Sequence, residues 1–95
     1  MDIRITMGQA KPGQLEELAR QWRELFGVKL QTMQGFRHGH FAGDRATDHV
    51  LGVTFWDGEP DHAVIRRYLQ EFMAQAGHLV AGPPQVGVYE ILAEV

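Results

Sequence analysis

The chain reads as an α+β domain of order β-α-β-β-α-β, with one antiparallel sheet and both helices on one face. Three observations predict it. The apolar period switches between two and about 3.6 several times along the chain. Glycine and proline clusters, such as Lys11-Pro12-Gly13, fall at the switches. Only a short polar connection separates the two middle strands, so they form a hairpin.

Ile3, Ile5 and Met7 alternate with Asp2, Arg4 and Thr6, which predicts a half-buried first strand. Leu15, Leu18, Ala19, Trp22, Leu25 and Phe26 follow at helical spacing, and Leu30 and Met33 extend that helix to about Met33. Gly27 weakens it locally, by about 1 kcal/mol relative to alanine. Gln34-Gly35 ends the helix. Phe36 to Ala42 is the second strand, 43–48 a turn-rich connection, and His49 to Trp56 the third strand. Pro60 suits the first turn of the second helix. Its stripe runs from Ala63 or Val64 through Ile65, Leu69, Phe72 and Met73 to Ala76, and Gly77 is its stop. Val86 to Leu92 is the last strand. The order is the split βαβ, or ferredoxin-like, arrangement.

Ninety-five residues make a single domain, 1–95, whose small core leaves room for stabilisation by oligomerisation. Apolar content of 44% and charged content of 22% are ordinary for a soluble globular protein. A net charge of −3 provides no basic footprint and argues against nucleic-acid partners. No apolar run is long enough to span a membrane. No signal peptide opens the chain. Without cysteine there is no disulfide framework, thiol nucleophile or thiolate metal site. A cytoplasmic location is the default expectation.

Strand alternation assigns faces. Ile3, Ile5 and Met7, with Leu51, Val53 and Phe55, are expected under the helices. Trp56 and Thr54 then lie on the open face beside Arg4 and Thr6. Pairing Ala42 with His49 adds Arg37, Gly39 and Phe41 to that face. The last strand contributes either Tyr89 and Ile91 or Val88 and Glu90. Large aromatics facing glycines, with a few polar groups, have the composition of a small-molecule cavity or of a dimer seam.

The segments Lys11-Pro12-Gly13…Glu16-Glu17-Leu18, Gln34-Gly35-Phe36-Arg37, Thr54-Phe55-Trp56, Phe72…His78-Leu79 and 81–90 (Ala-Gly-Pro-Pro-Gln-Val…Val-Tyr-Glu) span nearly the whole chain. In their order and spacing they resemble the antibiotic-biosynthesis-monooxygenase-like domain, a dimeric α+β barrel. The resemblance implies a homodimer with the two sheets face to face. Among the family's activities it implies cofactor-free oxygenation of aromatic quinols. It also raises haem cleavage. For that chemistry the strand-3 tryptophan matches Trp56, but Thr6 stands where an asparagine is expected. Ala76 stands where the haem histidine is expected, four residues after Phe72, with His78 displaced by two. The haem version is therefore disfavoured.

In the cofactor-free mechanism so implied, the substrate's own phenolate or carbanion reduces dioxygen, and no metal or cofactor takes part. The protein supplies a dry cavity, orientation and proton transfer. Trp56 is the expected cavity wall and indole donor. His78 and Tyr89 are the titratable candidates. Thr6 and Thr54 are expected to orient hydroxyls, Phe41 to line the site, and Arg4 or Arg37 to hold an anionic substrate. The bland alternatives are a core or interface tryptophan, ordinary strand threonines, and a histidine that satisfies helix-end carbonyls. His38 and His40 share one strand face, and with His49 across the hairpin they invite a metal reading. Strand 2 is the expected sheet edge, where exposed polar side chains are normal. His62 is expected to be solvated.

Overall fold

Period-two patterning in Asp2–Gln9 and His49–Trp56 builds the two central strands of a four-stranded antiparallel sheet. The computed structural model describes residues 1–95. Its strands are β1 (Asp2–Gln9), β2 (Phe36–Gly43), β3 (His49–Trp56) and β4 (Gln85–Glu90), in the order β2-β3-β1-β4. The first helix, α1, is built from Leu15–Gln21, a π-helical stretch Trp22–Gly27, and Val28–Leu30. The second, α2, is His62–Ala76, closed by a 3₁₀ turn Gly77–Leu79. This is the expected ferredoxin-like arrangement, with both helices on one face. No helix is long and apolar enough to cross a membrane.

The element ends follow local chemistry. Glu16 and Glu17 occupy the first turn of α1, where carboxylates favour the helix dipole. Arg20 bridges Glu17 and Glu24 along its exposed side. The helix stops at Leu30, short of the expected Met33, because the last amides turn tightly: Met33 N–H donates to Leu30 O at 3.0 Å. The helix α2 starts at His62, two residues beyond Pro60. Asp61 is the cap, accepting from the amides of Ala63 and Val64 at 3.1 and 3.2 Å. Gly77 does not end the chain's helical path in a left-handed turn, but opens the 3₁₀ turn that buries Leu79.

The sheet faces are the reverse of the sequence expectation. Val50, Thr54 and Trp56 are buried on the helix side, as are Arg4 and Ala10. β1 pairs with β3 so that Arg4 faces Thr54 and Thr6 faces Gly52. Ile3, Ile5, Met7, Leu51, Val53 and Phe55 therefore lie on the open face, and Met7 and Leu51 remain exposed there. The reason is where the apolar volume comes from. The helices carry it into the core as Leu18, Phe26, Leu30, Ile65 and Phe72, so the strands beneath need only small or receptive residues.

Two details of register matter. Ala42 pairs with Leu51 rather than His49, which keeps Gly39 and Phe41 on the face of Trp56 and Thr54, as expected, although that face is the helix side. A bulge at Arg37 then interrupts the β2–β3 ladder between Phe36 and His38. It expels Arg37 from the face, and its guanidinium pairs with Asp57 Oδ2 at 3.2 Å, both side chains exposed. In β4, Val88 and Glu90 are the residues in register with Arg4 and Asp2, so Tyr89 falls on the open face opposite Ile3.

Candidate functional site

Trp56 is the largest fully buried side chain, with no exposed area. Its Nε1–H donates to Thr54 Oγ1 at 2.9 Å, and Phe36 packs edge-on against its ring at 5.2 Å. Trp56 is thus a core plug under the helices, contrary to its expected place on the open face. Arg4 is also nearly buried. Its Nη1 donates to His62 Nδ1 at 3.1 Å, and His62 Nε2 lies 3.6 Å from Glu59 Oε1. Burial, and then the nearby Arg66 charge, lower the pKa of the Arg4 guanidinium. His62, expected to be solvated, is accordingly a partner for Arg4 with its side chain only 25% exposed.

The free space between sheet and helices lies further along the strands. A cavity of about 40 Å³ is bounded by Thr6 and Gly52 on the sheet, by Trp22 and Phe72 from the helices, and by Phe41 and Val80 at its sides. No Asp, Glu, His, Lys, Arg or Tyr lines it. The polar side-chain atoms in its wall are the Thr6 hydroxyl and the Trp22 indole N–H, and neither is a buried atom left without a partner. As it stands this space is too small for a ring, and its wall contains no acid or base.

Trp22 takes the room that the strand glycines leave. A Cβ on Gly52 would stand 2.9 Å from Trp22 Nε1, and one on Gly39 would stand 3.4 Å from Cη2. The glycines opposite aromatics, read in the sequence as space for a ligand, are filled by this indole. It also stacks obliquely on Phe41 and Phe26, at 5.5 and 5.9 Å. Trp22 was read as a plain core position; its site role has no sequence signal beyond its helical alignment with Gly39 and Gly52, which only the register reveals. On its outer side lies an open groove of about 700 Å³ between α1 and the β2 edge, with Phe36, Phe41, Arg23 and Arg37 in its walls.

The expected site residues separate into three places. Thr6 and Phe41 line the cavity. Arg4, Thr54 and Trp56 share its sheet face but lie towards the other end of the strands, outside its wall. Arg37, His78 and Tyr89 are elsewhere: Arg37 at the bulge, His78 exposed in the 3₁₀ turn, and Tyr89 on the open face with its ring over Gly87. His38 and His40 do share a face, Nδ1 to Nε2 at 3.3 Å, with the His38 ring stacked on Phe55 at 4.5 Å. His49 lies beside Asp44, well down β3 from Val53, the partner of His40. The three imidazoles therefore do not converge, and no group of three or more His, Cys, Asp or Glu is placed to hold a metal.

A ferredoxin-like sheet with both helices on one face is a fold that hosts many unrelated functions. Solved structures share it across the whole chain. A monooxygenase from Streptomyces coelicolor, in complex with nanaomycin D, superimposes with a TM-score of 0.81 at 13% identity, covering 99% of this chain and 89% of that one. A candidate antibiotic biosynthesis monooxygenase from Nitrosomonas europaea matches with a TM-score of 0.78 at 12% identity, over 98% and 100% of the two chains. Another, from Chloroflexus aurantiacus, matches at 0.70 and 20% identity over 99% and 95%. The chain thus has the fold of the antibiotic-biosynthesis-monooxygenase-like domain. No protein-family model and no curated protein matches its sequence.

Proposed function

We propose that the protein is a cofactor-independent monooxygenase-like enzyme acting on a small aromatic quinol in the cavity between sheet and helices. The observation that carries this reading is the cavity wall: apolar and aromatic, with the Thr6 hydroxyl as a polar group on the sheet side. The structural likeness to monooxygenases, one in complex with nanaomycin D, supports the same class. Thr6 orients a ring hydroxyl and Phe41 stacks on the ring. Arg4, Thr54 and Trp56 support this face from behind, while His78 and Tyr89 stand too far out to act within the cavity as it is closed here.

The absence of a lining acid or base dictates the chemistry. The substrate must enter as its own anion. Its ring carbanion gives one electron to dioxygen, and the radical pair joins to form a C–O bond. Loss of water from the hydroperoxide leaves a carbonyl. The peroxide anion takes from solvent the proton that the substrate gave up on ionising, so one oxygen atom stays on the ring and the other leaves in water with that proton and the hydrogen of the oxidised carbon. Oxygen uptake with a panel of hydroquinones and anthrones should therefore rise with pH along each substrate's own ionisation. Thr6→Val and Phe41→Leu should lower it about tenfold or more, the loss of one positioned contact. A profile fixed by one protein pKa for every substrate, or no uptake with any of them, would refute the reading.

The second reading, a non-catalytic dimeric binding module, is supported by the open face. Ile3, Ile5, Met7, Leu51, Val53 and Phe55 form an apolar patch across two strands, the kind of surface that marks an interface. A second copy packed sheet to sheet would cover it. Such a dimer is compatible with either activity, and ligand binding without oxygen uptake would favour the module.

A further inference from the structure

We propose that the Trp22 indole is a placeholder: the slot it fills against Gly39 and Gly52 is the binding site for a planar aromatic ring, and it swings into the outer groove when that ring enters. The inference rests on the aromatic substrate proposed above, and it names where that substrate sits and what must move.

The inner cavity holds about 40 Å³, room for a few water molecules, whereas ligand sites run to roughly 300–1,000 Å³. A ring cannot bind unless something leaves. Trp22 is the side chain whose departure helps most, because it and Phe41 line both the inner cavity and the outer groove. Taking the indole away would join the two spaces. The floor exposed would be flat, since neither Gly39 nor Gly52 has a side chain. A Cβ on Gly52 would come within 2.9 Å of Nε1, so the slot is fitted to the thickness of a ring.

Leaving also costs Trp22 little. Its N–H is not buried without a partner and so reaches solvent, whereas the N–H of Trp56 is held inside by Thr54. It is half-buried rather than sealed. It opens the π-helical stretch Trp22–Gly27, an irregular turn of a kind that concentrates at functional sites. The groove of about 700 Å³ outside can receive an indole, and Arg23 in its wall can stack on one.

The test uses 2-hydroxy-1,4-naphthoquinone, a planar ring already oxidised and so not turned over. In ¹H–¹⁵N spectra of the intact protein, titration should shift the Trp22 indole N–H signal saturably and leave that of Trp56 in place. Trp22→Ala should bind the probe at least fivefold more tightly, because the closed conformation no longer competes. Weaker binding by Trp22→Ala, an unmoved Trp22 signal at saturation, or no binding at all would overturn the placeholder. Should Trp22→Ala not fold, the wild-type titration decides alone. Binding with these signatures but no oxygen uptake from quinols keeps the slot and removes the oxygenase. Oxygen uptake with an unmoved Trp22 signal does the reverse.

Discussion

Two indoles lie on the helix side of this sheet, and one hydrogen bond separates their roles. Trp56 has its N–H satisfied by Thr54 Oγ1 at 2.9 Å and shows no surface. Its removal would leave a large void, so Trp56→Ala should cost roughly 3–5 kcal/mol and report on folding rather than on a site. Thr54→Val is the sharper variant. It conserves volume but strands a buried N–H, and should destabilise by about 1–3 kcal/mol in urea unfolding. A change near zero would mean that water replaces the hydroxyl and that Trp56 is less sealed than its geometry shows. Trp22→Phe strands nothing and should cost less than Thr54→Val. At this scale the sequence singled out Trp56 but assigned it to the wrong face of the sheet. Its reading of Trp56 used strand phase, and Trp22 sat in a helical stripe that looked like ordinary core.

Elements were more legible than residues. β3 is His49–Trp56 as read, and β2 is one residue longer than read, because alternation and turn chemistry bound both. The ends of both helices moved because local hydrogen bonds decide them: Asp61 caps α2, so Pro60 precedes the helix instead of lying in its first turn. The face assignment failed for a physical reason. β1 alternates apolar Ile3, Ile5 and Met7 with polar Arg4 and Thr6, which identifies an apolar face but not what covers it. Here the helices bring their own bulk to the other side, and the apolar face is left open. The π-helical stretch had a single faint sign, Gly27. A Cβ there would meet Trp22 O at 3.6 Å and its ring at 3.7 Å, ordinary contacts. Gly27→Ala should thus be accepted and stabilise the helix by about 0.5–1 kcal/mol, read as a raised urea midpoint. Destabilisation would show that the π turn needs the flexibility of glycine. Gly52→Ala should behave oppositely, because its Cβ would press on Trp22 Nε1 at 2.9 Å.

For the whole molecule, the open sheet face sets the expectation. A lone copy would leave Met7, Leu51 and Tyr89 about 40–50% exposed beside Ile5, Val53 and Phe55. Contiguous apolar surface of this kind is uncommon on a monomer, and a small domain gains proportionately from covering it. Two copies related by a two-fold axis would present the same patch to each other. Val53 sits near the middle of the patch, on a central strand between Ile5 of β1 and His40 of β2. A glutamate there would remain solvated in a monomer but would be buried without a partner in the dimer, which is strongly unfavourable. Sedimentation should therefore show twice 10.7 kDa for the wild type and 10.7 kDa for Val53→Glu. Circular dichroism should stay unchanged in the variant, since the core lies on the other face. Gln70→Glu, on the exposed side of α2, is the control for added charge and should remain dimeric. A wild type that sediments as one copy at micromolar concentration would sink the packing and leave the open face to some other cover. A dimeric Val53→Glu would instead place the contact elsewhere. If the dimer holds and Val53→Glu still binds the naphthoquinone, the slot under Trp22 is complete within one copy. If binding is lost with dissociation, the second copy shapes it through the sheet.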